Sequence, residues 1–224
     1  MSIKIIAEFG VNWNDVKDFE TMVLLCKSLG IKFVKMQMWK KEQIPEKLKE
    51  LRKMYVGKGR AKYCFKFAKK HGIELFYSVF YPKAVDICED VGVNFYKVRY
   101  QDRNDYPLYK RLKKTNKPIF VSCSDPMDTA YFNLATYQKR VIFLYCVPKY
   151  PAKFEDYKFS IRYGHNNSFQ GISDHTSDLK LFKIANKKPN NNNEWFEMHV
   201  KENDDCFEHA WSKSFEQLKE ALEP

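Results

Sequence analysis

Two stretches decide the fold: Gln170-Gly171-Ile172-Ser173-Asp174-His175-Thr176 and, further along, Glu194-Trp195-Phe196-Glu197-Met198-His199. Each reads as a short β-strand ending on a histidine that has an acidic or hydroxyl neighbour. At the carboxyl ends of consecutive parallel strands, two imidazoles lie close enough to share one metal ion. Neutral imidazole is the commonest ligand for divalent transition metals. A plainer reading makes each histidine a hydrogen-bonding strand cap. That suffices for one histidine, and less well for two at equivalent places in successive repeats.

Working outward, short apolar runs alternate with longer amphipathic ones. Ile3–Phe9, Ile31–Met38, Ile73–Val79, Phe95–Arg99, Pro118–Ser122, Val141–Cys146, Phe169–Ser173 and Trp195–His199 are short, rich in β-branched or aromatic residues, and bounded by Gly, Asn or Pro. Helical patterns fall between them at Phe19–Leu29, Lys47–His71, Pro82–Asp90, Tyr106–Thr115, Met127–Lys139 and Leu179–Lys187, and Phe215–Leu222 closes the chain. Gly30, Gly72 and Gly92 stand where C-cap glycines belong. Eight such units in 224 residues predict an α/β fold, a (β/α)8 TIM barrel, as a single domain over 1–224. The rival is a doubly wound open sheet, whose dinucleotide-binding form loses support because no GxGxxG follows the first strand. The run from Lys187 to Asn193 reads as a solvated loop.

In a barrel, the carboxyl ends of the strands converge on one mouth. Glu8, Lys35, Gln37, Ser78, Lys97, Ser122, Ser173, His175, Glu197 and His199 all lie in or just after predicted strands. Lysines and serines gathered there suit an oxyanion. Lys97 alone reads equally well as a wall residue paired with a carboxylate. The formal charge of +11 falls mostly in helical stretches, with no zinc-finger spacing or RNP-like aromatic box to make a nucleic-acid module of it. A basic field also draws in a small anionic substrate. The six cysteines are scattered without a CxxC pair and read as small buried hydrophobes of a reducing compartment. With no run of 18 apolar residues and no signal-peptide pattern, the expectation is a cytoplasmic protein with no membrane partner.

At these same residues the sequence resembles the sialic acid (N-acetylneuraminate) synthases. Ile6-Ala7-Glu8-Phe9-Gly10-Val11-Asn12 is similar to that family's opening IAEIGVNHNG, and Val34-Lys35-Met36-Gln37 to its VKFQ. Tyr96-Lys97-Val98 with Asp102, Asn104 and Tyr106-Pro107-Leu108 follows its fourth strand and loop. Lys117-Pro118-Ile119-Phe120-Val121-Ser122 resembles KPVILS, and Tyr145-Cys146 with Tyr150-Pro151 its HC…YP turn. Ser173-Asp174-His175-Thr176 is similar to SDHT, Glu197-Met198-His199 to ExHF, and Glu208-His209-Ala210 with Ser212 to the terminal PDHxxS. The order is collinear over nearly the whole chain. Tyr100 replaces a serine of the family pattern, while Trp13 and Tyr145 replace histidines. The family's small antifreeze-like domain has no counterpart in these residues, so the expectation is the catalytic barrel alone.

The resemblance implies condensation of phosphoenolpyruvate with an N-acetylated amino-sugar aldehyde, giving a sialic-acid-like nonulosonate and inorganic phosphate. It implies that His175 and His199 hold a divalent metal, Mn²⁺ or Mg²⁺. Lys35, Lys117, Ser122 and Ser173 would bind phosphoenolpyruvate; Gln37, Tyr150 and Glu197 would face the sugar. Glu8 and Asp102 are the carboxylates placed to assist water addition. Two other readings stand beside this one: a barrel kept as a metal- or ligand-binding protein, and another phosphoenolpyruvate or metal aldolase on the same fold. Oligomeric state stays open.

Overall fold

The computed structural model describes residues 3–125, 127–128, 141–157, 169–187 and 194–223. Eight parallel strands run β1 (Lys4–Gly10), β2 (Phe33–Met38), β3 (Glu74–Val79), β4 (Tyr96–Val98), β5 (Ile119–Cys123), β6 (Val141–Cys146), β7 (Gly171–Asp174) and β8 (Trp195–Lys201), each beside the next in chain order. Pairing of β1 with β8 closes the sheet on itself. This is the (β/α)8 barrel expected from the alternation, and the open-sheet rival falls away. A two-residue strand, β9 (Lys213–Ser214), pairs in parallel with the end of β8.

The helices are α1 (Val16–Ser28), α2 (Lys58–Lys70), α3 (Pro82–Val91), α4 (Tyr106–Lys113), α5 (Lys180–Lys187) and α6 (Phe215–Leu222). Their starts are written locally. The Asp15 side chain accepts from the backbone N–H groups of Lys17 and Asp18, Asp105 from that of Leu108, and Ser214 forms a capping box with Gln217. Gly92 ends α3 in the left-handed conformation its position requires. One predicted helix divides: Lys47–His71 is a 3-10 segment over Glu46–Met54, non-helical at Leu48, and α2 starts only after Gly57. The loop read at 187–193 and nearly all of the helix read at Met127–Lys139 lie outside the described residues.

Because strand side chains alternate with period two, each strand sends every second residue into the barrel. The lower interior layer is apolar: Ile6, Phe76, Phe120, Leu144 and Trp195 are buried together, with Phe33, Phe95 and Ile142 against them. Phe76 stacks on Phe120 at 5.4 Å between ring centroids, and Trp195 meets Phe120 and Phe33 edge-on at 4.9 Å each. This aromatic floor leaves no room beside it at β7, so that strand contributes Gly171; a Cβ there would run into the Trp195 carbonyl and Leu144. The residues two further along every strand form the next layer, and that layer is polar. A separate, larger apolar core lies between barrel and helices.

Candidate active site

The polar layer is a direct consequence of register. Glu8 pairs with Lys35 on one side and His199 on the other; Ser78 pairs with Lys97, and Cys146 with Ser173, which pairs with Glu197. These residues line one cavity of about 250 Å³ at the carboxyl end of the barrel, together with Gln37, Ser122, Tyr150 and His175. Loop residues Arg99, Tyr100, Gln101, Glu208 and Trp211 complete its wall.

The charges are buried and interlocked. The Lys97 ammonium lies 2.5 Å from Glu197 Oε1, which also accepts from Ser173 Oγ at 2.7 Å. Lys35 is ion-paired with Glu8, lies 3.4 Å from Glu197 Oε2, and donates to Ser78 Oγ at 2.9 Å. Burial alone would raise the Glu197 carboxyl, but Lys35 and Lys97 outweigh it and hold the group well below the usual carboxylate range. Burial would lower Lys35, yet Glu197 and Glu8 keep its ammonium above the ordinary value. Lys97 is pushed down, chiefly by burial and further by the charge of Lys35. Glu8 is pushed up, because burial exceeds the pull of Lys35 and His199. Burial also raises the Cys146 thiol to about 12, making it a neutral wall instead of a nucleophile.

His175 and His199 face one another across the cavity, their ring centroids 5.5 Å apart. His175 Nδ1 lies 2.8 Å from the Val147 carbonyl, and His199 Nδ1 lies 2.9 Å from Glu208 Oε2. Both partners accept, so each ring directs an Nδ1–H at its partner and, when neutral, presents the lone pair of Nε2. Burial, reinforced by His199, holds His175 well below the usual imidazole value and therefore neutral. A ligating histidine is commonly arranged this way, its far nitrogen fixed by a carbonyl or carboxylate. Among the described residues no group of three or more His, Cys, Asp or Glu side chains could hold one ion, so the share of a metal site that these residues offer would be the two imidazoles.

The loops bearing the histidines are fastened from several sides. Tyr157 Oη donates to the Ser173 carbonyl and accepts from the His175 N–H, both at 3.0 Å. The fully buried Lys213 pairs with Asp174 at 2.8 Å and donates to the Thr176 carbonyl at 2.6 Å. Asn12 holds Glu208 by accepting from its backbone N–H at 3.0 Å, while its own amide donates to the Val200 carbonyl and Ser212. Gly10, at φ +51°, has to lack a side chain because a Cβ would overlap the Glu208 carboxylate. Glu208→Ala should therefore weaken Mn²⁺ binding by about 10–100-fold, the usual cost of losing such a support, and Gly10→Ala should reproduce much of it. Unchanged Mn²⁺ titrations for both variants would sink this role.

Most sequence-predicted residues meet here: Glu8, Lys35, Gln37, Ser122, Tyr150, Ser173, His175, Glu197 and His199. Two do not. Lys117 precedes β5 and pairs with Glu89 of α3 at 2.6 Å. Five residues at about 3.3 Å each put it roughly 16 Å below Ser122, so Lys97 is the second lysine of the cavity. Asp102 is held by Arg99 Nε at 2.5 Å and does not line the cavity. Glu197 lines it, but as the counter-charge of two lysines. Trp13, in place of a histidine, is buried and donates to the Gly10 carbonyl at 3.1 Å. Sequence reasoning missed Tyr157, Lys213 and Trp211 as parts of the site. Glu208 carried a signal through its place in the terminal motif, as did its supports Asn12 and Ser212 through theirs.

Comparison with known proteins agrees with this architecture. Residues 3–223 match the model of the NeuB family. The chain is 25% identical over 211 residues to the N,N'-diacetyllegionaminic acid synthase of Campylobacter jejuni, covering 81% of this chain and 63% of that one. It is 25% identical over 203 residues to the pseudaminic acid synthase of Helicobacter pylori, covering 77% and 59%. It thus spans about three fifths of the length of these curated relatives. Its fold matches the crystal structure of an N-acetylneuraminic acid synthetase from Leptospira borgpetersenii with a TM-score of 0.87 at 19% identity, over 99% of this chain and 82% of that one.

Proposed function

The chain belongs to the NeuB family, and from that premise we propose that it condenses phosphoenolpyruvate with an N-acylated amino-sugar aldehyde, forming a nonulosonate and releasing phosphate. The observation that carries the proposal is the single polar cavity in which Lys35, Lys97, Ser122 and Ser173 stand beside two imidazoles presenting free Nε2 atoms. Phosphoenolpyruvate concentrates about three negative charges in a small volume. Two buried ammonium groups offset their mutual repulsion, and their burial makes each contact stronger than it would be in water. Arg99, Tyr100 and Gln101 line the same cavity.

The two imidazoles fit a divalent cation, and Mg²⁺, which demands oxygen ligands, suits them less well than Mn²⁺. When bound, the ion would supply Lewis-acid polarisation of the aldehyde. The chain's own groups do the rest. Lys35 and Lys97 fix the anionic substrate, and the Glu197 carboxylate keeps both ammonium groups in place. Glu8, with its carboxyl pushed up by burial, is suited to taking the proton of the water that adds during the reaction. Tyr150 lies against His175, with 4.1 Å between centroids, where the aldehyde substrate would approach. Among the described residues no helix is long and apolar enough to cross a membrane.

The direct test is phosphate release from phosphoenolpyruvate with Mn²⁺ and a panel of amino-sugar aldehydes. Absence of release with every aldehyde, with Mn²⁺ bound, would favour a binding protein over an enzyme. The corrected lysine assignment has its own test. Lys97→Met should weaken phosphoenolpyruvate binding by about 10–100-fold, as expected when a charge-assisted hydrogen bond is lost, whereas Lys117→Met should leave it within about twofold. The reverse order would restore the motif-based assignment.

A further inference from the structure

The geometry points to a second, apolar compartment of the active site that takes an extended acyl substituent on the sugar aldehyde, an inference that rests on the condensation reading. A cavity of about 530 Å³ adjoins the polar one and shares Gln37, Phe80, Arg99 and Glu208 with it as walls. Beyond that boundary the lining changes character. Trp39, Ile44, Leu48, Leu51 and Phe207 replace the lysines, glutamates and serines.

The chamber is built from the 3-10 segment Glu46–Met54, which supplies Leu48 and Leu51, and from the loop after β2, which supplies Trp39. Trp39, Leu51 and Phe80 are buried, whereas Phe207 is 42% exposed, so the outer rim lies on the Phe207 side. The boundary itself is fixed. The Arg99 guanidinium sits 3.8 Å from the centre of the Phe80 ring and is held by Asp102.

Apolar walls give water few partners and gain from an apolar occupant. The chamber's volume lies within the range of whole-ligand pockets, about 300–1,000 Å³, far more than an acetyl methyl needs. Gln37 and Arg99 at the boundary can bond the carbonyl of an amide or ester, which places the linkage there and the hydrocarbon beyond it. A sugar bearing an acyl group of several carbons therefore matches the change from polar to apolar wall.

The test uses the full chain with Mn²⁺, phosphoenolpyruvate and a series of N-acyl mannosamines carrying acetyl, butanoyl and hexanoyl groups. Phosphate release gives kcat/KM, and calorimetry gives affinity whether or not turnover occurs. Each buried methylene should contribute up to about fourfold, so hexanoyl should exceed acetyl by at least about tenfold. In Phe207→Ser and Leu48→Asn that ratio should fall toward one. Turnover with no dependence on chain length would overturn the apolar compartment and leave the condensation reading standing. Length-dependent binding that these variants abolish, without phosphate release from any sugar, would uphold the compartment and overturn the condensation. Failure of both measurements would overturn both.

Discussion

His175→Ala and His199→Ala should each lower Mn²⁺ affinity by more than about 100-fold, because loss of a supporting partner alone costs about 10–100-fold and these variants remove a ligand itself. The two rings, 5.5 Å apart with both Nδ1 atoms occupied, have only Nε2 to offer. Neither residue belongs to the aromatic floor, so far-UV circular dichroism and cooperative unfolding should survive. Isothermal titration with Mn²⁺ gives the measurement. Stoichiometric binding of undiminished strength in either variant would disprove a shared ion. Competition provides a second reading of the same site, since imidazole donors should favour Zn²⁺ over Mn²⁺ and disfavour Mg²⁺.

The second large effect concerns stability. Glu197→Ala should destabilise the fold by about 3–5 kcal/mol, the usual result of removing one member of a buried ionic cluster and leaving its partners uncompensated. Among the described residues, Lys97 would lose its one carboxylate partner within 4 Å, and Lys35 would keep Glu8 alone. Urea unfolding should show this as a lower midpoint with an unchanged slope. The double change Lys97→Met with Glu197→Leu should recover a good part of the loss, since matched apolar replacements of buried pairs are often close to neutral. If Glu197→Ala costs less than about 1 kcal/mol, the ammonium groups find solvent that the buried geometry denies them.

Much of the barrel is legible in the chain because its causes are local. Alternation within Trp195–His199 and glycines at the helix ends need no tertiary information. The histidine pair is legible for a related reason: strand ends at equivalent places of successive repeats must converge in a barrel. What fails is what depends on distance along a strand or on a partner far away. Lys117 and Ser122 share one motif, yet a strand's rise separates them, and Lys117 finds Glu89 on a neighbouring helix. Asp102 has the right chemistry but is taken by Arg99 three residues earlier. The break before α2 escapes periodicity because the apolar spacing of Leu48, Leu51 and Met54 is satisfied by a tighter 3-10 winding. Lys213 and Tyr157 carry no local signal, since their partners lie on other strands and loops.

The aromatic floor has a consequence for traffic. Phe76, Phe120 and Trp195 close the barrel below the polar layer, so nothing enters the cavity from the lower end of the barrel. Molecules cannot pass one another inside a space of about 250 Å³. A ligand held at Lys35 and Lys97, in the layer directly above that floor, would have to come and go past any occupant of the upper cavity, an order imposed by a plug that itself takes no part in the chemistry.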